Sequence, residues 1–277
     1  MKLKIIIVGK NSFIARNLYK YLKNRCKVEI LSFREFLKKN IYNNIDYVIN
    51  CSSTLNYINQ KYKIKFDNDF LISKKILNYQ KCKLVLLSSR KVYKPKNNIK
   101  ENGKILLKEN YYKNKFFTEK KIIEILNDRV LVLRISNIIG FDSNKKGRKL
   151  HKTFIDFFIE NIKKNIIFDN KGVYKDFLPI NLFSRIVFLL IKKNKSGIFN
   201  VSIGKKVYLT KIIKWLNHYN PNKKSIKIMT KIPYKTINRE CFFLNNTKLL
   251  RVINIKINLN DLKNECLGIS KKLFYEK

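Results

Sequence analysis

Tyr111 and Lys115 stand four apart in Tyr-Tyr-Lys-Asn-Lys, a spacing that puts both side chains on one face of a helix. An ammonium beside a phenol favours the phenolate and draws its pKa down from about 10, which suits a group that gives a proton to, or takes one from, a carbonyl oxygen. Upstream, Leu84-Val85-Leu86-Leu87-Ser88-Ser89 reads as a buried strand that ends in hydroxyls, so Ser89 can hydrogen-bond a substrate oxygen in the same cleft. Tyr112 has Phe116 rather than a lysine four residues on, which makes Tyr111 the acid/base candidate.

Three such residues need a scaffold, and the hydrophobic pattern supplies one. Leu3 to Val8 is an apolar run closed by Gly9, and Ile14, Leu18 and Leu22 follow at helical spacing, a strand-turn-helix opening. Val28 to Leu31, Tyr47 to Asn50, Leu84 to Leu87 and Val130 to Leu133 read as further buried strands, with helices over 67–79 and 111–126 between the later ones. Alternation of this kind predicts an α/β fold with a Rossmann-like, doubly wound parallel sheet. Beyond about 140 the rhythm loosens into helical segments at 153–163, 186–191 and 209–215 and a strand at 198–201. The reading is a cofactor domain over 1–140 and a smaller substrate lobe over 141–277, with a stretch near 172–200 returning to the first. In such sheets ligands bind at the carboxyl ends of the strands.

The turn Gly9-Lys10-Asn11-Ser12-Phe13-Ile14-Ala15 has small residues, Ser12 and Ala15, where a spaced glycine pattern would have two more glycines. Gly, Ser and Ala can still supply a tight turn and a helix N-terminus aimed at a pyrophosphate. An acid closing the second strand would bind the ribose 2′-hydroxyl of NAD; Leu31-Ser32-Phe33-Arg34 offers a hydroxyl and a guanidinium and no carboxylate. That suits a 2′-phosphate, so NADP(H) is preferred and NAD(H) stays possible.

Taken together the chain resembles the extended short-chain dehydrogenase/reductase family, the nucleotide-sugar epimerases, dehydratases and reductases. Besides the first turn and the Tyr/Lys pair, the resemblance rests on Asp46 to Ser53 beside the cofactor and on Ser88-Ser89-Arg90-Lys91-Val92-Tyr93. It continues through Leu133-Arg134 to Gly140, Lys175-Asp176-Phe177 and Gly197 to Val201. It implies a triad of Ser89, Tyr111 and Lys115, with Lys115 also holding the nicotinamide ribose. It further implies cofactor contacts at Gly9, Ser12, Phe13, Ile14, Ser32, Arg34, Cys51 and Ser52, and substrate contacts at Ser89, Asn137 and Asp176. Where the family's 4,6-dehydratases carry an Asp-Glu pair, this chain has Arg90 and Lys91, which argues against dehydration; its paired aspartates become Asn181 and Leu182. The expectation is an NADP(H)-dependent reductase of a nucleotide-linked 4-keto deoxysugar, with a 4-epimerase as the alternative and a homodimer as the assembly.

Composition narrows the classes further. The 277 residues are 45% hydrophobic, too apolar for a disordered chain, and no apolar run approaches the roughly 20 residues of a membrane span. Without a recognisable secretory signal the expected compartment is the cytoplasm. Five scattered cysteines without a C-x-x-C pair and two isolated histidines support no metal site. His151 follows the substrate-side segment and reads as a surface histidine. The 61 Lys plus Arg against 19 Asp plus Glu give a formal charge of +42. The lysines are spread through every segment, as compositional drift would leave them; the alternative from another class is a silent, basic RNA-binding protein on the same fold.

Overall fold

The computed structural model describes residues 2–40, 44–141, 154–168, 172–223, 227–229 and 240–275; His151 lies outside them. Six strands form one parallel sheet: β1 (Lys4–Val8), β2 (Lys27–Leu31), β3 (Tyr47–Asn50), β4 (Lys83–Ser89), β5 (Val130–Ile135) and, after several intervening elements, Gly197–Val201 at the edge beyond β5. The order across the sheet is Gly197–Val201, β5, β4, β3, β1, β2. The expected doubly wound sheet is therefore present. Strand β4 runs on into the two hydroxyl residues as expected, with Ser88 and Ser89 in register with Arg134 and Ile135.

Alternation along each strand sorts its side chains onto two faces. Ile5, Ile7, Ile49, Val85, Leu87, Leu131 and Leu133 pack on one side under α1 (Phe13–Leu22). Ile6, Val8, Val48, Leu84, Leu86, Val130 and Val132 pack on the other, beneath α2 (Phe33–Lys38), α4 (Asn68–Ile76) and α5 (Asn110–Leu126); the short α3 (Leu55–Asn59) lies against α5. The helix expected over 67–79 stops at Ile76, where Tyr79 and Cys82 amides close tight turns onto Ile76 and Tyr79 carbonyls.

The remaining elements add the sheet's edge strand and pack around it. They are β6 (Asn137–Ile139), α6 (Phe154–Lys163), β7 (Ile166–Phe168), β8 (Tyr174–Lys175), β9 (Phe177–Pro179), α7 (Ile180–Lys192), β10 (the edge strand Gly197–Val201), β11 (Val207–Tyr208), α8 (Leu209–Leu216), β12 (Lys227–Met229), α9 (Thr247–Ile253) and α10 (Leu259–Phe274). Helix α7 starts six residues before the expected 186, with Pro179 as its N-cap, and packs against α1. Asn200 on β10 fastens two distant segments, the loop over 93–101 and the stretch at Asn245: its amide nitrogen donates to the Ile99 carbonyl (2.8 Å) and the Asn245 carbonyl (3.2 Å). Its side-chain oxygen accepts from the Tyr93 hydroxyl (2.9 Å), and its own N–H donates to the Glu101 carboxylate (3.0 Å).

Candidate active site

At the carboxyl ends of β1, β3, β4 and β5 lies a cleft of about 880 Å³. The chain turns from β1 to β2 on one side and returns to β3 on the other, which makes the β1/β3 gap the switch point where such sheets bind ligands. Gly9 closes β1 at φ +105°, and a Cβ there would come within 2.9 Å of the Ser52 amide nitrogen, so the two turns touch through backbone. Ser12 is the N-cap of α1 at ordinary extended angles, and its hydroxyl makes no capping bond, leaving it and the first-turn amides directed toward an incoming anion. Ala15 is fully buried. The two missing glycines are thus accommodated: the serine needs no positive φ and the alanine packs. This cradle fits a dinucleotide pyrophosphate.

Of the residues singled out by sequence, Ser12, Phe13, Ile14, Cys51, Ser52, Ser89, Tyr111, Lys115 and Asn137 line this one cleft. Helix α5 presents Tyr111 and Lys115 to it, while Tyr112 turns away and donates its hydroxyl to Glu109 at 3.0 Å. Ser89 caps a 3-10 turn by accepting from the Lys91 amide (3.2 Å), which leaves its own proton available for a bound oxygen. Burial, then Asp69, pushes the Cys51 thiol well above its ordinary value, which disfavours its thiolate.

Lys115 is nearly buried and its ammonium donates to the Leu87 carbonyl at 2.8 Å. Sequence reading missed its counter-ion: the Asp69 carboxylate at the start of α4 lies 3.5 Å from the Lys115 nitrogen and accepts from the Asn50 amide at 2.7 Å. Burial pushes the Asp69 carboxyl up to about 6 against the pull of Lys115. Burial pulls Lys115 down, but Asp69, Tyr111 and Asp67 outweigh it and leave it raised, so the pair is ionised at neutral pH. Asn50 also accepts from the Ser52 amide (2.9 Å), and Asn68 donates to the Ser52 hydroxyl (2.9 Å), which locks the β3 turn onto α4. A carboxylate on a helix with no periodic partner gave no signal in the sequence.

Behind the cleft, Arg134 on β5 forks onto Glu119 of α5, with 2.6 Å from Nη2 to Oε2 and 3.1 Å from Nε to each oxygen. The Ser88 hydroxyl also donates to Glu119. Glu119 is two helical turns beyond Tyr111 and one beyond Lys115, so this pair fixes the height of α5 against the sheet.

Gly9, Ser32, Arg34 and Asp176 are not among the residues lining the cleft. Ser32 forms a capping box with Glu35: the Glu35 amide donates to its hydroxyl (3.2 Å) and its own amide donates to the Glu35 carboxylate (2.6 Å). The strand end that reads as free of acids therefore does carry a carboxylate, folded back from the first turn of α2 and bound to Lys10 at 2.6 Å. The Lys10 bond, then Ser32, holds Glu35 down to about 2. Arg34 is exposed beside it. Asp176 is wholly buried, where its carboxylate accepts from the Leu244 amide at 2.9 Å and its carbonyl accepts from Asn137 at 2.8 Å; it ties these segments together instead of facing the cleft.

No family model matches the sequence, and no curated protein does. Solved structures do match in fold. UDP-N-acetylglucosamine 4-epimerase from Methanobrevibacter ruminantium M1, in complex with UDP-N-acetylmuramic acid, has a TM-score of 0.75 at 18% identity over 98% of each chain. The dTDP-glucose 4,6-dehydratase of Bacillus anthracis in complex with NAD gives 0.73 at 13% identity, covering 97% of this chain and 96% of that one. RMD from Pseudomonas aeruginosa complexed with NADPH gives 0.73 at 15% identity over 98% of each. The chain shares the fold of these three structures.

Proposed function

We propose that the protein is an NADP(H)-dependent reductase of a nucleotide-linked 4-keto sugar, a deoxysugar for surface polysaccharide. The observation that carries this reading is the convergence of Ser89, Tyr111 and Lys115 with the N-terminus of α1 on one cleft at the strand ends. The cofactor, when bound, supplies the hydride. Tyr111 gives its phenolic proton to the developing alkoxide, Ser89 donates a hydrogen bond to the same oxygen, and Lys115 holds the ribose and keeps positive charge beside the phenol. Ser12, Phe13 and Ile14 receive the pyrophosphate, Gly9 lets the turn approach it, and Cys51 and Ser52 flank the nicotinamide half. Asn137 adds its side-chain oxygen on the substrate side.

Preference for NADP(H) rests on exposed Arg34 and on the pairing of Glu35 with Lys10, which occupies the carboxylate. One observation favours the second reading, a 4-epimerase with retained NAD: Glu35 stands at the end of β2, where a carboxylate can accept the ribose 2′-hydroxyl. The nucleotide-linked substrate and the cofactor together support action in the cytoplasm. Phe117, 42% exposed on α5, supports a homodimer through that helix.

The test is a titration of NADPH and NADH against the wild type, Arg34→Ala and Tyr111→Phe. NADPH is expected to bind more tightly, with the preference lost in Arg34→Ala and kept in Tyr111→Phe; steady NADPH consumption with a 4-keto nucleotide sugar then separates reductase from epimerase. Failure of both cofactors to bind would overturn the reading.

A further inference from the structure

Lys91 and its surroundings are not used by the roles given above. Its side chain lines the cleft two residues beyond Ser89, and its ammonium stands 5.9 Å from the ring centre of Tyr111 and 5.2 Å from that of Tyr112. Among the described residues no carboxylate lies within 4 Å of it. The nearest acid along the chain on that wall, Glu109, is engaged by the Tyr112 hydroxyl.

The neighbours add to the positive charge. Arg90 is 6% exposed, stacks on Phe242 with its guanidinium 3.7 Å from the ring centre, and meets Glu240 at 4.0 Å; its Nε has no hydrogen-bond partner among the described residues. Lys175, 3% exposed, spends a donor on the Glu240 carbonyl at 3.1 Å. Burial pushes Lys175 down to about 8, and burial with Arg90 pulls Lys91 down as well. Glu109, Glu240 and the faces of Tyr111 and Tyr112 offset part of that cost, and a partly desolvated ammonium left without a paired carboxylate gains further from an anion that reaches it. Lys91 lines the cleft, so an anion bound there can reach it.

Resting on the reading of the cleft as a nucleotide-sugar site, we infer that Lys91 forms an anion subsite at the reacting end, and that the sugar itself carries a carboxylate there. The position decides against the diphosphate as the partner. Lys91 shares the wall with Ser89 and Tyr111, the two groups that meet the reacting oxygen, whereas the diphosphate is attached across the sugar ring from it.

The experiment compares UDP-glucuronate with UDP-glucose, two probes with the same nucleotide and diphosphate that differ only in the carboxylate. Each is titrated calorimetrically into NADPH-saturated wild type, Lys91→Met and Lys91→Arg. UDP-glucuronate is expected to bind the wild type about 10-fold more tightly; Lys91→Met erases the difference by weakening the uronate alone, and Lys91→Arg retains most of it. Lys91→Met is expected to melt no lower than the wild type, since it removes a poorly compensated charge. Equal affinity for the two sugars, a preference that survives in Lys91→Met, or equal weakening of both sugars, which would assign Lys91 to the diphosphate, each overturns the inference while leaving the nucleotide-sugar reading intact. If neither sugar binds although NADPH does, both fall.

Discussion

Glu119→Gln is a demanding test of how the site is held. The substitution preserves the shape of the side chain and removes its charge, leaving Arg134 buried at 4% side-chain exposure with the Glu101 carbonyl and the Tyr93 ring as its remaining company. At the 2.6 Å separation of the pair, two unit charges attract by about 6 kcal/mol at an effective dielectric of about 20, and much of that is cancelled by their lost hydration. Breaking a buried pair from one side costs about 3–5 kcal/mol. Against a total stability of roughly 5–15 kcal/mol this is a large loss, and at about 2–4 °C per kcal/mol it lowers the melting temperature by about 10 °C. The assay is calorimetric and urea unfolding of wild type, Glu119→Gln and the double variant Glu119→Leu/Arg134→Met. The double variant is expected to recover at least half of the loss, because no charge is then stranded. Because α5 loses its fixed height, NADPH affinity in Glu119→Gln should also fall severalfold under conditions where the protein is still folded. A melting temperature within 2 °C of wild type, or a double variant worse than the single one, would refute the argument.

Two further predictions concern buried carboxyls. Burial pushes Asp176 up to about 7, well above an unfolded aspartate near 3.9, so the proton it binds on folding adds stability that is complete below about pH 4 and is lost as pH rises through about 7. Urea midpoints measured between pH 5 and 8 should therefore fall with rising pH, and Asp176→Asn should flatten the slope; an unchanged slope in the variant would exclude Asp176 as its source. Protonation of Asp69 near pH 6 removes a negative charge from a cleft that receives an anionic cofactor. At about 10 Å and an effective dielectric of 20–40 that is worth about 1 kcal/mol, so NADPH affinity should rise about fivefold as pH falls from 7.5 to 5.5, and Asp69→Asn should bind with little pH dependence. A wild-type affinity that weakens over that range would contradict the assignment.

Much of the scaffold was legible because it rests on local periodicity. The strand-turn-helix opening, the β4 run into Ser88 and Ser89 and the Tyr111/Lys115 face of α5 are each determined within one segment, and each stands where that pattern put it. Contacts that depend on distant segments were out of reach. Asp69 meets Lys115 only because α4 and α5 pack on the same face of the sheet, and Asp176 is withdrawn from the cleft by an amide 68 residues later in the chain. The acid at the end of β2 was missed for a different reason: a capping box bends the Glu35 side chain back by one turn, so the residue that fills the place is not the one that occupies it in the sequence.

The four bonds made by Asn200 have a practical consequence for anyone who would dissect the protein. The loop that leaves Ser89 and runs through Tyr93, Ile99 and Glu101 is pinned from outside, by a strand that arrives about a hundred residues later and by Asn245 near the end. A fragment ending at 140 would contain Ser89, Tyr111 and Lys115 yet lose the edge strand β10 and these four bonds, leaving Ile198–Val201 partners on β5 open to pair with another molecule. Such a fragment is expected to aggregate rather than act as a portable cofactor-binding module. Labelling, circular permutation or split-protein designs would have to cut elsewhere, with Asn200 and Tyr93 kept on the same folded piece.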